Sequence, residues 1–278
     1  MENPARIWWC PTGPLAFLPL HAAGIYAQST PFTSGSCLAD FAISSYTPTV
    51  SSLLGKIRRP ADELELSSSK LLIVSQPKTK GLPPNLGTTI EMNAISTTLG
   101  SNDCESLCLE GEAATISRVQ LEMESHSSIH FACHAKQDID DPLKSGFYLH
   151  NGRLELADII RQNISHCQLA FLSACQTSTG DERLSEEAVH LAAGMLAVGY
   201  KGVVATPTMW SITDQYGAEI AERFYKHLMD SRAASGTPGI DSVDAARALR
   251  QAIQGIRERV GDTEQGLVMW VPYVHFGY

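Results

Sequence analysis

Five short apolar runs, rich in β-branched and aromatic residues, punctuate the chain. They are Ile7-Trp8-Trp9, Leu71-Leu72-Ile73-Val74, Ile129 to Cys133, Leu169-Ala170-Phe171-Leu172 and Gly202-Val203-Val204-Ala205. The middle three read as parallel strands covered by helices on both faces, because a strand buried on both sides loses its polar alternation. Between the runs the apolar spacing lengthens to three or four residues. Residues 186–198 place Ala188, Leu191, Ala192, Met195 and Leu196 on one stripe, with Ser185 as N-cap and Glu186 and Glu187 in the first turn. A second helix, capped by Thr213 or Asp214, carries Ile220, Phe224 and Leu228 on one face, and a third runs over about 242–260 with Ala246, Leu249, Ile253, Ile256 and Val260 in register.

One hairpin is well marked. Phe147 to His150, then Asn151-Gly152, then Arg153 to Glu155 has the two-residue turn that favours positive φ. Gly, Pro and Ser gather at 58–69, 76–88 and 231–240, which read as loops. No tandem repeat is visible. Alternating strands and helices with about five buried strands predict a three-layer α/β/α sandwich with a mostly parallel central sheet.

Composition narrows the class. A chain of 278 residues makes one large domain or two small ones, and 44% hydrophobic against 18% charged residues is ordinary globular material. Thirty acidic against twenty-one basic residues give a net charge of −9. With no Lys/Arg run, this argues against nucleic acid or an anionic membrane as partner. No apolar stretch approaches the roughly 18 residues of a membrane span. The N-terminus shows no secretory pattern. Seven scattered cysteines, an odd number, point to a reducing, cytoplasmic setting. Cys104 and Cys108 lack a second ligand pair, so no structural zinc is expected.

Most familiar catalytic signatures are missing: there is no phosphate-binding P-loop, no dinucleotide fingerprint, no G-x-S-x-G elbow and no H-E-x-x-H. His126, His130 and His134 sit four apart, which on a helix would make a metal stripe. The alternation of Ile129, Phe131 and Cys133 is strand periodicity instead, which spreads successive histidines about 13 Å apart, too far for one metal.

Two segments remain. Ile129 to Ala135 is an apolar strand whose carboxyl end delivers His134, and Ala170 to Thr177 is another that delivers Cys175. In open α/β sheets, sites form at the carboxyl edge. If the strands are parallel neighbours, about 4.8 Å apart, the two side chains emerge together. An imidazole beside a thiol lowers its pKa and makes a nucleophile. The alternative is a small core cysteine and an edge histidine, since free cysteines are usually buried and inert.

At these residues the chain resembles the CHAT domains, caspase-like modules related to separase. His130-Phe131-Ala132-Cys133-His134-Ala135 is similar to the family's His-Phe-Ala-x-His-Gly, and Leu172 to Gly180 to its Leu-Ser-Ala-Cys-x-Thr-x-x-Gly. Pro14 to Gly24, Glu187 to Gly194, Val203 to Thr206, Met209 to Asp214 and Trp270 to Gly277 resemble its other blocks in the same order, so the resemblance spans nearly the whole chain.

The resemblance implies a caspase-like fold over 1–278, with an N-terminal subregion (1–125) and a subregion carrying the dyad (126–278). It implies that Cys175 is the nucleophile, that His134 is the general base, and that the backbone N–H groups of Ala135 and Cys175 form the oxyanion hole. It implies a cysteine endopeptidase without cofactor or metal, acting on a protein or peptide substrate in cell-death or immune-like signalling. Fungal relatives carry such a module after TPR repeats, which implies an upstream helical-repeat regulatory region. Two departures stand out. Ala135 replaces the family's usual Gly, and Pro207-Thr208 look like an insertion before Met209-Trp210. The first leaves a catalytically weak scaffold as the alternative function; a ligand-binding doubly wound domain is a third, lacking its Gly loop.

Other chemistry-bearing residues read as structural. Asp138, Asp140 and Asp141 form a solvated acidic loop, and Cys133 continues the apolar face of its strand. Trp8, Trp9 and Trp210 read as core or groove walls. Of Asp181, Glu182, Glu186 and Glu187, most serve a helix N-terminus, with a specificity-pocket role for one of them as the alternative.

Overall fold

The computed structural model describes residues 4–26, 35–57, 70–102, 104–138, 140–162, 164, 166–173, 187–205, 214–236, 240 and 242–278. Their strands are β1 (Ala5–Trp9), β2 (Ala42–Tyr46), β3 (Leu71–Ser75), β4 (Ser106–Glu110), β5 (Ser128–Ala132), β6 (Ala135–Lys136), β7 (Gly146–Leu149), β8 (Gly152–Glu155), β9 (Leu169–Ser173), β10 (Gly202–Ala205) and β11 (Val274–Gly277). The α-helices are α1 (Val50–Ile57), α2 (Gly87–Gly100), α3 (Ile116–Met123), α4 (Leu156–Arg161), α5 (Glu187–Val198), α6 (Asp214–Ser235), α7 (Ser242–Val260) and α8 (Glu264–Trp270).

All five apolar runs are strands, and the marked hairpin is β7–β8. The five runs lie in an eight-stranded sheet of order β1-β2-β11-β10-β9-β5-β3-β4. The strands β4, β3, β5, β9 and β10 are parallel. Direction reverses once, at β10/β11, after which β11, β2 and β1 run parallel to one another. Strands from 1–125 hold both edges, and β5, β9, β10 and β11 lie between them.

Alternation along each strand builds the two covered faces. Leu72, Val74, Ile129, Phe131, Ala170, Leu172 and Val203 point to one side, where they pack with Val119, Met123, Leu156, Ile159, Leu191 and Met195 of α3, α4 and α5. Leu71, Ile73, Leu169, Phe171 and Val204 point to the other, against Ile95, Leu99, Ile220, Phe224, Leu249 and Ile256 of α2, α6 and α7. The result is a three-layer α/β/α sandwich. A small antiparallel sheet of order β6-β7-β8 sits on the first side and supplies Phe147, Leu149 and Leu154 to the same core.

The expected loop at 231–240 starts later, because α6 continues to Ser235. Its end is set by Gly236, which takes φ +69° and donates its N–H to the Arg232 carbonyl at 3.0 Å. Glycine alone adopts that left-handed cap without strain. The caps expected at Ser185 and Thr213 lie outside the described residues. Among the described residues, no helix is long and apolar enough to cross a membrane.

Candidate active site

Strands β5 and β9, which begin the two candidate segments, are parallel neighbours whose carboxyl ends lie at the same edge of the sheet. β5 is buried throughout, with Ile129 and Phe131 on one face and His130 on the other. Beyond it, Cys133 stays in the core, as its apolar alternation predicts. His134 follows, 6% exposed. Two contacts hold it: its carbonyl accepts the Tyr148 N–H at 2.8 Å, and its Nε2 lies 2.8 Å from the Pro83 carbonyl oxygen. The chain around Pro83, between β3 and α2, is itself tied back, since the Gln76 N–H donates to the Ala132 carbonyl at 2.9 Å and the Asn85 N–H to the Pro77 carbonyl at 2.9 Å.

A carbonyl can only accept, so Nε2 of His134 carries the proton. In the neutral form of the ring, Nδ1 is then the unprotonated nitrogen. That atom is buried and has no hydrogen-bond partner among the described residues. A lone pair left so costs about 1–3 kcal/mol unless something uses it.

β5 and β9 are parallel neighbours, as the dyad reading requires. Their register pairs Ser128 with Leu169 and Ala132 with Ser173. Ser173 is the last described residue of its strand, and Cys175 lies outside the described residues. So do Asp181, Glu182, Glu186, Pro207, Thr208 and Trp210.

Ala135 opens β6 opposite Phe147, 1% exposed. A strand residue is extended, a region open to alanine as readily as to glycine. Antiparallel pairs alternate between bonded and non-bonded. Because the Tyr148 N–H bonds the His134 carbonyl, the next pair, Ala135 and Phe147, is a non-bonded one, and the Ala135 N–H faces away from β7.

The remaining candidates serve the fold. Asp138 Oδ1 accepts the Asp141 N–H at 3.0 Å in a half-buried turn, and the Asp141 carboxylate pairs with Lys144 at 3.1 Å at its exposed surface. Trp8 and Trp9 donate to the Gly277 carbonyl and the Ser44 hydroxyl, each at 3.1 Å, as half-buried wall residues.

Two features escaped the sequence reading. One is Pro83, since a backbone acceptor leaves no trace in side-chain chemistry. The other is a buried polar cluster of Glu91, His130, Ser173 and Tyr225 on the α2/α6 face. A signal for it was present: Glu91 shares the stripe of Ile95 and Leu99 at i, i+4 and i+8, which points a carboxylate inward. A separate cavity of about 40 Å³ lies beside β2, β11 and α7, lined by His21, Tyr46, Trp270 and His275 among others. Its His21 bonds the Tyr46 hydroxyl and the Val271 carbonyl, each at 2.9 Å, and burial pushes its pKa down to about 4 against that carbonyl's pull.

A family model described as CHAT domain matches residues 1–278. The structure is similar to the Arg-specific cysteine proteinase gingipain R (RgpB), with a TM-score of 0.55 at 11% identity over 85% of this chain and 54% of that one. It is likewise similar to a chain in the complex of Porphyromonas gingivalis RgpB pro- and mature domains, with a TM-score of 0.54 at 10% identity over 85% and 55%. This chain thus spans about half the length of either neighbour. At that identity the likeness is one of fold, and the fold is caspase-like. No curated protein matches the sequence.

Proposed function

The chain belongs to the CHAT domain family, and on that premise we propose that it is a cysteine endopeptidase using Cys175 and His134. The observation that carries the reading is the state of His134. Its Nε2–H is committed to the Pro83 carbonyl, and its Nδ1 is buried with no partner among the described residues. Most buried histidine nitrogens in a core are hydrogen-bonded, as both are in His21 and His130. A second support is arithmetic. The β5/β9 register is offset by 41 residues, Ser128 to Leu169, which is also the separation of His134 from Cys175.

In the proposed reaction Nδ1 of His134 takes the Cys175 proton, and the thiolate attacks the scissile carbonyl carbon. The carbonyl π pair moves onto oxygen, where the N–H groups of Ala135 and Cys175 stabilise it. Collapse breaks the C–N bond, and the imidazolium gives its proton to the departing amine. Water, deprotonated by His134, then cleaves the thioester and restores the thiol. The Pro83 carbonyl keeps Nε2–H in place and stabilises the imidazolium. The extended backbone of Ala135 supports activity despite the missing glycine, which weighs against the scaffold alternative. The substrate would be a peptide bond in a partner protein of a cytoplasmic cell-death or immune-like signalling system.

The test is labelling of the full chain with a panel of electrophilic peptides, comparing wild type with Cys175→Ala and His134→Ala. Labelling at Cys175 that falls at least tenfold in His134→Ala at neutral pH supports the dyad. Equal labelling removes the base, and no labelling of wild type leaves an interaction scaffold.

A further inference from the structure

The dyad chemistry makes no use of Glu91, yet its carboxylate spans the two strands that carry the site. Glu91 sits in the second turn of α2, 4% exposed. Its Oε1 lies 3.1 Å from Nε2 of His130 on β5, and its Oε2 accepts a 2.9 Å bond from the Ser173 hydroxyl at the end of β9. His130 is fully buried, with Nδ1 3.2 Å from the Tyr225 hydroxyl on α6 and its ring stacked on Phe171 at 4.7 Å. With Glu91 ionised and His130 neutral, one assignment satisfies these bonds. Nε2–H of a neutral His130 donates to Oε1, the Tyr225 hydroxyl donates to Nδ1, and the Ser173 hydroxyl donates to Oε2.

Cohesion alone does not call for this arrangement. Apolar residues at both 91 and 130 would continue the Ile95–Leu99 stripe and pack the same face without the desolvation penalty that a buried carboxylate carries, whereas a leucine at 91 alone would orphan Nε2–H of His130. What the carboxylate does, and leucine would not, is grip Ser173. That serine pairs with Ala132, two residues before His134, and stands two residues before Cys175. On the facing helix Gly217 lies next to the cluster, where a Cβ would stand 3.8 Å from both Glu91 Oε2 and Ser173 Oγ, an ordinary van der Waals contact.

We infer that Glu91 is a positioning residue, which fixes the end of β9 through Ser173 and locks it to β5 through His130, so that the two strand ends are delivered in one geometry. This rests on the His134/Cys175 reading above.

The test measures kinact and KI for a peptide electrophile that labels Cys175, alongside thermal unfolding, in the full chain. The variants are Glu91→Ala, Glu91→Gln, Ser173→Ala and, as control, His134→Ala. Misplacement by about 1 Å can cost up to 100-fold, so Glu91→Ala and Ser173→Ala are expected to lower kinact by about 10- to 100-fold with KI unchanged. Glu91→Gln should recover most of it, because its carbonyl can accept from His130 and its amide can donate to Ser173. A purely structural role would lower the unfolding temperature and leave kinact of the folded protein at the wild-type value. That result overturns the inference while the dyad stands. If Glu91→Ala does not fold, Ser173→Ala, which removes one oxygen at a partly exposed site, decides. If wild type is not labelled at Cys175, or His134→Ala labels equally well, the dyad reading fails and this inference falls with it.

Discussion

The rings of Phe131 and Phe147 stack face to face, with centroids 4.1 Å apart and planes within 5° of parallel. Phe131 belongs to β5, the strand that leads to His134, and Phe147 lies opposite Ala135 in the small sheet. The stack therefore ties the sheet core to the hairpin whose Tyr148 N–H holds the His134 carbonyl. Both rings are fully buried. Phe147→Ala should cost about 3–5 kcal/mol, the range for deleting a buried phenyl ring. Denaturant unfolding measures it. A loss below about 1 kcal/mol would mean that the hairpin closes over the gap.

How far the sequence revealed this structure depends on where each residue's signal comes from. Ile129, Phe131 and Cys133 alternate, and Leu169 to Leu172 run unbroken, because burial on one or both faces is written directly into side-chain type. The strand Ala42–Tyr46 was not legible, since it carries Ser44 and Ser45. Ser45 is fully buried yet bonded to Arg6 at 3.2 Å and His275 at 3.0 Å, partners 39 and 230 positions away. The reversal at β11 was equally hidden, because direction depends on how the chain returns, and the composition of Val274–Gly277 is the same either way. Of the site, the segments ending at His134 and Cys175 stood out as apolar runs meeting polar ones. The Pro83 acceptor and the bridging role of Glu91 needed coordinates, since both are long-range contacts between elements that look independent in sequence.

Acid should weaken the fold through His21. In the folded chain its pKa falls to about 4, with burial as the largest cause, while the unfolded chain keeps 6.5. Between those values the unfolded state binds more protons than the folded one, so stability falls as pH drops. The contribution is intact above 6.5, declines through that window and is fully lost below about 4. Two and a half pH units correspond to about 3 kcal/mol. Unfolding free energy measured from pH 7 to pH 4 should therefore drop by an amount of that order, and His21→Asn should remove most of the slope. An unchanged slope in the variant would assign the acid sensitivity to other groups.

The hairpin that braces His134 leaves no room at Gly146. A Cβ built there would stand 2.2 Å from the Leu154 carbonyl oxygen and 2.9 Å from Glu155 Cα, both backbone atoms of β8 that cannot rotate aside. Gly146→Ala must part β7 from β8, or push β7 toward β6, where Gly146 pairs with Lys136 next to Ala135. Overpacking of this kind typically costs about 1–3 kcal/mol. Gly100 supplies the contrast, because it ends α2 without a positive φ and a Cβ there meets nothing within 4 Å. Gly100→Ala should stabilise by about 0.4–1 kcal/mol, through the unfolded chain's lost freedom. Side by side, Gly146→Ala should unfold earlier and label more slowly at Cys175, whereas Gly100→Ala should unfold later and label at the wild-type rate. If Gly146→Ala labels at the wild-type rate in its folded state, the hairpin does not set the position of His134.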